Sequence, residues 1–385
     1  MANKRTIDIM MIGLRSVNGA QGGVERHVRS LVEEFDAMGL ATCIVERSPY
    51  SRGGRAAFGA HGQIMPIWSP RSASYEALAH SVLATLWAGL VRPRVLHVHA
   101  IGPSIVAPLA RLLGLHVVCT HHGRDYDRQK WGTFAKLVLR LGEWCQAHFA
   151  QGRICVAQSL SLQLKAELGV PFTYIPNAVK LPPLSGDPTI LDQLQLQPGK
   201  YVINLGRLVP EKRQDDLIRA FSRLARKDVK LVLVGSADHP SQYSEDLAKL
   251  ADAVPGVIMA GFRQGSDLVQ LLANAALFAL PSSHEGMPIA ALEAMSLSRP
   301  VLLSDIPANM DLMLPPECYH KTASVEDLAE KLEHRLAAQS DAGVPAVDWT
   351  EVLSAYNWRT VARQTLDVYD QASTGFSQAV KARRP

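Results

Sequence analysis

The stretch that most constrains the fold of this chain runs from Pro281 to Met295 and reads PSSHEGMPIAALEAM. The apolar run before it, residues 275–280, predicts a buried strand. Pro288 suits the first position of a helix because its φ is preset and it lacks an N–H, and it disfavours helical geometry in the residue before it. The stretch therefore predicts a strand, a tight loop and a helix whose first backbone N–H groups can bind an anion.

Two carboxylates flank this predicted anion site. Glu285 stands just before the helix and Glu293 about one and a half turns into it. At ~1.5 Å of rise per residue, they lie on the order of 10 Å apart along the axis. A carboxylate pair that hydrolyses one glycosidic bond is expected at roughly 5 to 9.5 Å. The spacing therefore favours contacts with the two ends of one extended ligand that carries an anion in the middle, such as a sugar, a diphosphate and a ribose.

Bulk properties are those of an ordinary globular chain. Its 385 residues exceed what one hydrophobic core usually supports, so we expect two domains. The five cysteines show no C-x-x-C pairing and lie mostly in apolar surroundings, which indicates reduced, buried thiols of a cytoplasmic protein. No signal peptide is recognisable, and no apolar run reaches the ~18 residues of a membrane span, so a soluble chain is expected.

Charge is unevenly distributed along the chain. Residues 1–180 hold 20 Lys and Arg against 11 Asp and Glu, whereas residues 181–385 hold 20 against 25. Residues 47–74 are rich in Arg, Ser, Gly and Pro and predict a long loop. The basic half suggests an anionic partner, either lipid headgroups at the inner face of the plasma membrane or a phosphorylated acceptor. The alternative is a merely solvated surface, and we expect no nucleic-acid partner.

The stretch around Glu285 and Glu293 also resembles the E-x7-E signature of retaining GT-B glycosyltransferases, family 4 (glycosyltransferase group 1). The resemblance is carried by P-S-x-x-E-G-x-P-x-x-x-L-E-A-M as it stands here. It implies an α/β chain with two Rossmann-like doubly wound domains that face a central cleft. The expected domains are an acceptor-side domain at 1–180, joined by a C-terminal helix and tail at about 360–385, and a nucleotide-sugar-binding domain at 181–359.

The N-terminal residues read as the start of such a doubly wound domain. A strand at 7–13, a glycine-containing loop, a helix at about 24–38 and a strand at 41–45 are expected, with ligands bound beyond the carboxyl ends of the strands. The loop glycines do not spell G-x-G-x-x-G. Gly22 and Gly23, followed by Glu25, resemble the family's G-G-x-E loop, which contacts the donor diphosphate or the acceptor. Simple turn chemistry is the alternative interpretation.

A histidine pair follows the predicted strand at 115–120. His121 and His122 are adjacent, and adjacent residues of an extended chain point to opposite faces, so they are not expected to share one metal ion. Asp125-x-Asp127 matches the D-x-D metal site of GT-A enzymes, which we interpret as a chance match. The T-x-H-G segment resembles the family loop that carries a histidine near the donor sugar, here His122. The continuation R-D-x-x-R-x-K-W-G resembles members that build bacterial surface polysaccharides.

The predicted second domain carries the most specific motifs. Gly206 and Arg207 end a strand and Lys212 precedes a helix, which resembles the G-R-x-x-x-x-K motif that holds the donor diphosphate. Gly235 ends the next strand in a turn that faces the ligand. Gly261 and Phe262 resemble the turn whose backbone contacts the nucleotide base.

Two positions depart from the family pattern. Ala178 replaces the usual glycine of the I-P-N-G-V segment at 175–179, so the turn there could be shifted. Ser298 stands where the family usually has glycine, a departure without an obvious chemical consequence.

The resemblance implies a mechanism of transfer from a nucleotide-diphosphate sugar, with a UDP-sugar as the expected donor. Negative charge on the departing diphosphate would be stabilised by Arg207, Lys212 and the backbone N–H groups near Gly286, Met287 and Ile289. Pro288, which has no N–H, belongs to the same expected donor-binding segment. Glu293 would accept the ribose hydroxyls, Glu285 would bind hydroxyls of the donor sugar, and His122 would orient the sugar. No metal and no other cofactor is expected. A sugar-nucleotide 2-epimerase and a non-catalytic two-domain sugar-binding protein are the alternatives.

Overall fold

The computed structural model describes the chain in ten segments, namely residues 7–18, 22–51, 53–71, 75–127, 132–180, 189–226, 228–237, 240–337, 346–373 and 375–376. It divides into two compact units. The first unit comprises Met1–Ala178 and Asn357–Pro385, and the second comprises Val179–Tyr356. Each unit has its own sheet, parallel in all but one strand pair of the first unit, and helices flank both sheets.

The first unit alternates strands and helices. Its described strands are β1 (Ile9–Ile12), β2 (Thr42–Arg47), β3 (Ala56–Phe58), β4 (Gly62–Ile67), β5 (Val95–His99), β6 (Val117–His121), β7 (Gly152–Cys155) and β8 (Thr173–Tyr174). Its described helices are α1 (Gly23–Ala37), α2 (Glu76–Val91), α3 (Ala107–Leu112), α4 (Thr133–Phe149) and α5 (Gln158–Leu168), and α14 (Trp358–Ala372) joins them from the C-terminal part of the chain.

The described strands of the first unit form one sheet in the order β3-β4-β2-β1-β5-β6-β7-β8. All neighbours pair in parallel except β3, which runs antiparallel to β4. Both faces of the central strands are covered, and every residue of β1, β5 and β6 is buried. The strand order reverses between β1 and β5, and ligands of doubly wound sheets bind at such a switch point.

The second unit repeats the alternation. Its described strands are β9 (Tyr201–Leu205), β10 (Lys230–Val234), β11 (Val257–Gly261), β12 (Leu277–Leu280), β13 (Val301–Ser304) and β14 (Tyr319–His320). Its described helices are α6 (Thr189–Gln193), α7 (Gln214–Ser222), α8 (Gln242–Ala253), α9 (Gly265–Ala273), α10 (Ile289–Ser296), α11 (Pro307–Met310), α12 (Val325–Ala337) and α13 (Thr350–Leu353).

The described strands of the second unit lie in the order β11-β10-β9-β12-β13-β14, and all of them are parallel. Numbered within this unit, the order is 3-2-1-4-5-6, that of the Rossmann fold. The switch point lies between β9 and β12, which pair at Val202–Leu277 and Ile203–Phe278. The segments that follow these two strands, Gly206–Lys212 and Pro281–Pro288, therefore meet at one edge of the sheet.

Helix α14 returns the chain to the first unit. Asn357 begins it as an N-cap, since its side chain accepts hydrogen bonds from the N–H groups of Arg359 and Thr360. The helix packs against α1, β6 and β7, and the Tyr369 hydroxyl lies 2.6 Å from His97 Nδ1. The predicted C-terminal helix that crosses back to the first domain is confirmed.

The prediction of one long loop at 47–74 is wrong. This segment contains a 3-10 helix, Ser48–Tyr50, followed by β3 and β4. Its polar composition suits strands at the edge of a sheet, which are only half-buried and lack a continuous apolar run. Parts of several predicted features lie outside the described residues. They are residues 19–21 of the glycine-containing loop, residues 128–131 of the R-D-x-x-R-x-K-W-G segment, residues 181–188 at the start of the predicted second domain and residues 377–385 of the C-terminal tail.

Ser298 has a conformational consequence that the sequence did not reveal. It follows α10 with φ = +60°, in the left-handed region that only glycine adopts without strain. We therefore expect Ser298→Gly to raise the free energy of unfolding by about 1 kcal/mol. Ser296→Gly is the matched control, because Ser296 lies in the helix and glycine there should lower stability by ~0.5–1 kcal/mol. Urea denaturation of the two variants would contradict this account if both substitutions changed stability in the same direction.

All five cysteines are free and buried, as the sequence predicted. Among the described residues, no helix combines the length and apolarity needed to span a membrane.

Candidate functional site

Three glycines at the ends of neighbouring strands open the candidate site of the second unit. Gly206 follows β9, Gly235 follows β10 and Gly261 ends β11. The N–H of Gly235 donates to the carbonyl oxygen of Gly261 at 2.9 Å. A Cβ atom on Gly235 would lie 1.9 Å from the carbonyl oxygen of Gly206, so only glycine fits there. We call these three strand ends the glycine row; Gly261 is exposed, Gly206 is half-buried and Gly235 is buried.

Lys212 and Glu285 meet beside the glycine row. Lys212 ends the 3-10 helix Pro210–Lys212, and Glu285 lies in the loop between β12 and α10. Lys212 Nζ is 2.5 Å from Glu285 Oε1, and the two side chains are only 17% and 9% exposed. The Cδ and Cε atoms of Lys212 would lie 3.6 Å from a Cβ atom on Gly206, so the lysine stem passes over the Gly206 end of the glycine row. The structure therefore brings together two residues that the sequence assigned to one ligand.

Arg207 is half-buried immediately after Gly206. Its carbonyl oxygen accepts a hydrogen bond of 2.8 Å from Gln214 Nε2, at the start of α7. This bond fixes the backbone of the segment that carries the predicted phosphate-binding arginine.

The loop that carries Glu285 is held by serines that sequence reasoning did not assign. The N–H and the hydroxyl of Ser283 donate to the carbonyl oxygen of Glu211 at 2.9 and 3.3 Å. The hydroxyl of Ser304, the last residue of β13, donates to the carbonyl oxygen of Ser282 at 2.5 Å. Asn309 Nδ2 in turn donates to Ser304. A polar residue at the buried end of an apolar strand was the signal that could have identified Ser304.

The helix after this loop begins one residue later than predicted. Pro288 is the N-cap, and α10 begins at Ile289. The N–H of Ile289 donates to the carbonyl oxygen of Met287 at 2.9 Å. In the structure this N–H therefore bonds within the turn, and its binding to an anion stays a prediction. Gly286, which is half-buried, precedes that turn. Glu293 lies inside α10 and is 6% exposed.

Gly261 and Phe262 lie at the carboxyl end of β11, at the edge of the candidate site. Gly261 has φ = +68° and is exposed, and Phe262 is half-buried. Their contact with a nucleotide base stays a prediction.

In the first unit, the local structure explains why a glycine stands at position 22. Gly22 is the N-cap of α1, and a Cβ atom there would lie 1.9 Å from Glu25 Oε2. Glu25 Oε1 accepts a hydrogen bond of 3.2 Å from the N–H of Arg15. Glycine at position 22 thus lets Glu25 fold back over the helix start. Gly23, the first residue of the helix, is exposed, and the role of both glycines in binding a diphosphate or an acceptor stays a prediction.

Three histidines converge at the switch point of the first sheet. His27 lies in α1, His99 ends β5 and His122 follows β6. One ring nitrogen of each lies within 4.8 Å of those of the other two. We call these three residues the histidine cluster. The sequence assigned only His122, although His99 and His122 follow strands that proved to be neighbours.

Burial keeps the histidine cluster neutral. It lowers the pKa of His27 to about 4, although the hydrogen bond to Asn177 raises that pKa in part. Burial and the neighbouring histidines also hold the pKa of His99 and that of His122 well below the ordinary value. The imidazoles are therefore uncharged at neutral pH.

His121 and His122 point to different partners, as expected for adjacent residues of an extended chain. His121 Nε2 lies 2.9 Å from Glu143 Oε1, whose carboxylate also accepts from the Tyr126 hydroxyl. His122 Nε2 lies 3.1 Å from His99 Nδ1. In the described part of the chain, the grouping with metal-ligand spacing is the histidine cluster and does not include Asp125 or Asp127.

Two family models match the chain, one on each unit. The model described as "Glycosyl transferases group 1" matches residues 188–342. The model described as "Glycosyltransferase Family 4" matches residues 21–181.

Individual relatives are more distant. The chain is 25% identical to a phosphatidyl-myo-inositol mannosyltransferase of Mycobacterium leprae, over 93% of this chain and 95% of that protein. It is 30% identical to an uncharacterized glycosyltransferase of Methanocaldococcus jannaschii, over 44% of each, so the match spans less than half of that relative. The structure of Anabaena HepE in complex with UDP and glucose superposes with a TM-score of 0.68 at 18% identity, covering 98% of this chain and 100% of that one. This likeness confirms the predicted GT-B fold.

Proposed function

Because the chain belongs to the group 1 and family 4 glycosyltransferases, we propose that it transfers a sugar from a nucleotide-diphosphate sugar with retention at the anomeric carbon. The donor is a UDP-sugar, a choice that the UDP complex of Anabaena HepE supports. The acceptor is a saccharide or lipid-linked saccharide of cell-surface polysaccharide synthesis. The observation that carries this proposal is the Lys212–Glu285 pair beside the glycine row, at the switch point of the second sheet.

The diphosphate binds where backbone and cations meet. Phosphate oxygens approach the glycine row at half-buried Gly206 and exposed Gly261, and the stem of Lys212 lies beside Gly206. Cleavage of the sugar–phosphate bond leaves negative charge on the diphosphate, and Arg207 and Lys212 stabilise that charge where it develops. These side chains replace a metal ion, so transfer proceeds without metal or other cofactor.

The two carboxylates bind the hydroxyl-bearing ends of the donor. Glu285 Oε1 accepts a hydrogen bond of 2.5 Å from Lys212 Nζ, which holds the ammonium group in place. When Lys212 pairs with the bound diphosphate, Glu285 accepts hydrogen bonds from hydroxyls of the donor sugar instead. Glu293 accepts those of the ribose, and His122 orients the sugar. Phe262, beside Gly261, contacts the base.

Donor binding should raise thermal stability, because a ligand that binds only the folded state stabilises it. At about 100 times its Kd, the correct nucleotide sugar contributes ~2.7 kcal/mol. We expect a rise in Tm with one or more UDP-sugars in a panel that also contains GDP- and ADP-sugars, and none with the free sugar as control. Transfer to an added acceptor should persist in excess EDTA. Epimerised nucleotide sugar formed without any acceptor, or no stabilisation by any nucleotide sugar, would overturn the proposal.

A membrane surface is the second partner that we propose, and α4 carries it. Phe134, Leu137, Leu141 and Trp144 follow one another at helical spacing and are 73%, 64%, 47% and 46% exposed. The opposite side of α4 packs onto the unit, where Leu139 contacts the Ile101–Tyr126 cluster. Four large apolar side chains on one exposed helix face suit insertion into the headgroup region of a bilayer.

Charge favours an anionic lipid surface as the occupant of this face. Arg140 lies exposed beside the apolar positions, and residues 1–180 hold 20 Lys and Arg against 11 Asp and Glu. Basic residues near an apolar helix face add electrostatic attraction to anionic headgroups. We therefore propose a cytoplasmic protein that binds peripherally at the inner face of the plasma membrane, where a lipid-linked acceptor is available.

Co-sedimentation with phosphatidylglycerol vesicles tests the membrane proposal. We expect binding at low salt that weakens as salt rises, and weaker binding to neutral vesicles. Leu137→Glu with Leu141→Glu should reduce the partition coefficient at least ~100-fold, since two buried leucines together contribute about 3–6 kcal/mol. Leu162→Glu is the matched control, because Leu162 is 62% exposed on a different helix of the same unit, α5. Equal binding of the double variant and the wild type would refute a role for α4.

A further inference from the structure

His122 lies between two residues that are hydrogen-bonded to each other across it. The N–H of Gly123 donates to His121 Nδ1 at 3.1 Å. This bond closes a tight turn at the carboxyl end of β6, with His122 as its middle residue. Gly123 has φ = +125°, a value that strongly favours glycine. The two neighbours of His122 therefore fix the direction in which its side chain leaves the backbone.

His121 is anchored in turn by Glu143 of α4. Because His121 Nδ1 accepts from Gly123, its ring hydrogen is on Nε2, which lies 2.9 Å from Glu143 Oε1 and donates to it. The side chains of His121 and Glu143 are 0% and 6% exposed. A hydrogen bond to a carboxylate is stronger where water is excluded. The turn around His122 is thus joined firmly to a helix.

Glu143 is held by further contacts. The Tyr126 hydroxyl lies 3.2 and 3.0 Å from Oε1 and Oε2 of Glu143 and donates to this carboxylate. Arg124 Nε lies 3.5 Å from Glu143 Oε1 and balances its charge. The preceding residue, Gly142, packs so closely that a Cβ atom there would lie 2.0 Å from the carbonyl oxygen of Ile101. These contacts fix both the carboxylate and the backbone that carries it.

The ring of His122 contacts the other members of the histidine cluster. His122 Nε2 lies 3.1 Å from His99 Nδ1. The rings of His27 and His122 meet edge to face, with centroids 4.9 Å apart. His99 and His27 therefore limit the rotation of the His122 ring, whereas His121 and Glu143 fix the backbone from which it projects.

We propose that Glu143, acting through His121, is a positioning residue for sugar transfer and holds His122 at the donor sugar. This inference rests on the proposed function, in which His122 orients that sugar. A displacement of about 1 Å in a group that positions the substrate can lower a rate ~100-fold. A buried carboxylate on α4, which no motif of the sequence singles out, therefore belongs to the transfer site.

Kinetics of Glu143 variants test this inference. Glu143→Met removes the acceptor and should lower kcat at saturating donor by about 10–100-fold. The affinity for UDP should not change, because the proposed diphosphate site lies in the second unit. Glu143→Gln should keep most of the wild-type kcat, because its one amide oxygen can accept from both His121 and Tyr126. Glu167→Met is the matched control: Glu167, 47% exposed on α5, pairs with Arg124 of the same loop, and its loss should leave kcat unchanged.

A double-mutant cycle with His122→Ala separates positioning from a general structural effect. If Glu143 acts through His122, Glu143→Met should lower kcat no further in the His122→Ala background. Losses that multiply would overturn the inference. A slow His122→Ala variant beside a folded Glu143→Met variant of wild-type kcat would overturn this inference alone. Wild-type transfer by His122→Ala would also remove His122 from the proposed function.

Imidazole ¹⁵N spectra of the wild type give a measurement that does not depend on the folding of any variant. We expect His121 to carry its ring hydrogen on Nε2 and to keep this tautomer when UDP binds. A hydrogen on His121 Nδ1 would exclude the bond from Gly123 and would overturn the inference.

Discussion

Lys212→Met should lower the rate of sugar transfer by about 10²–10³-fold, the usual cost of removing one preorganised group that stabilises developing negative charge. Lys212 is 17% exposed and lies over the glycine row, so its ammonium group acts in a partly dehydrated site. The loss should appear as a lower kcat/KM. Binding of the product UDP should weaken as well, because its diphosphate carries negative charge that Lys212 contacts. Initial rates with the donor selected by the thermal screen measure the first effect, and UDP titration measures the second.

Glu285 makes a double substitution necessary for interpreting this result. Lys212→Met alone leaves the Glu285 carboxylate, 9% exposed, without its ion-pair partner, which lowers stability by up to ~3–5 kcal/mol. Combining it with Glu285→Gln removes the uncompensated charge, so the thermal midpoint should recover while activity stays low. Lys249→Met is the matched control, since Lys249 is 74% exposed in α8 of the same unit. A double variant that recovered activity together with stability would show that Lys212 has only a structural role.

Gly235→Ala should be among the most destabilising single substitutions in the second unit. Gly235 has φ = +145°, and the added Cβ atom would lie 1.9 Å from the backbone oxygen of Gly206. Neither backbone can yield easily, because Gly206 N–H is bonded to Val234 and Gly235 N–H to Gly261. We expect a loss of about 3–5 kcal/mol in the free energy of unfolding, in the range that only steric overlap or buried-charge effects reach.

Gly265→Ala separates the steric effect from the backbone effect. Gly265 also has a positive φ, +61°, but nothing lies within 4 Å of its added Cβ atom. Its substitution should cost only about 1–2 kcal/mol. Urea denaturation of both variants gives the comparison. If the two alanine variants were equally stable, the close approach of β9 and β10 at the glycine row would not be the constraint that we describe.

Much of the second unit could be predicted from the sequence because its signals are local. The apolar runs of β9, β10 and β12 can be recognised from the sequence. Lys212 follows β9 and Glu285 follows β12 within a few residues. The strand order of a doubly wound sheet then predicts that these two residues lie at one edge. The start of α10 was misplaced by one residue because Pro288 is compatible with both the N-cap and the first helical position. The hydrogen bond from the Ile289 N–H to the Met287 carbonyl oxygen depends on the local turn geometry, which composition does not specify.

The features that the sequence missed depend on which strands become neighbours. His99 and His122 are separated by a helix and a strand in the chain, and only the pairing of β5 with β6 brings them within 3.1 Å. His27 joins them because α1 begins beside the same switch point. The edge strands β3 and β4 escaped prediction because half-buried residues there carry no continuous apolar pattern. The positive φ of Ser298 has no side-chain signature at all.

The discontinuity of the first unit has a consequence for biosynthesis. Helix α14 supplies Tyr369, which is fully buried and bonded to His97, yet it is translated after every residue of the second unit. On the ribosome, the second unit can therefore complete its sheet while the N-terminal sheet still lacks one covering helix. Domains generally fold as they emerge, N-terminal first. Here we expect the reverse order of completion, with exposed strands β6 and β7 as the part of the nascent chain that most needs a chaperone until residues 358–372 emerge.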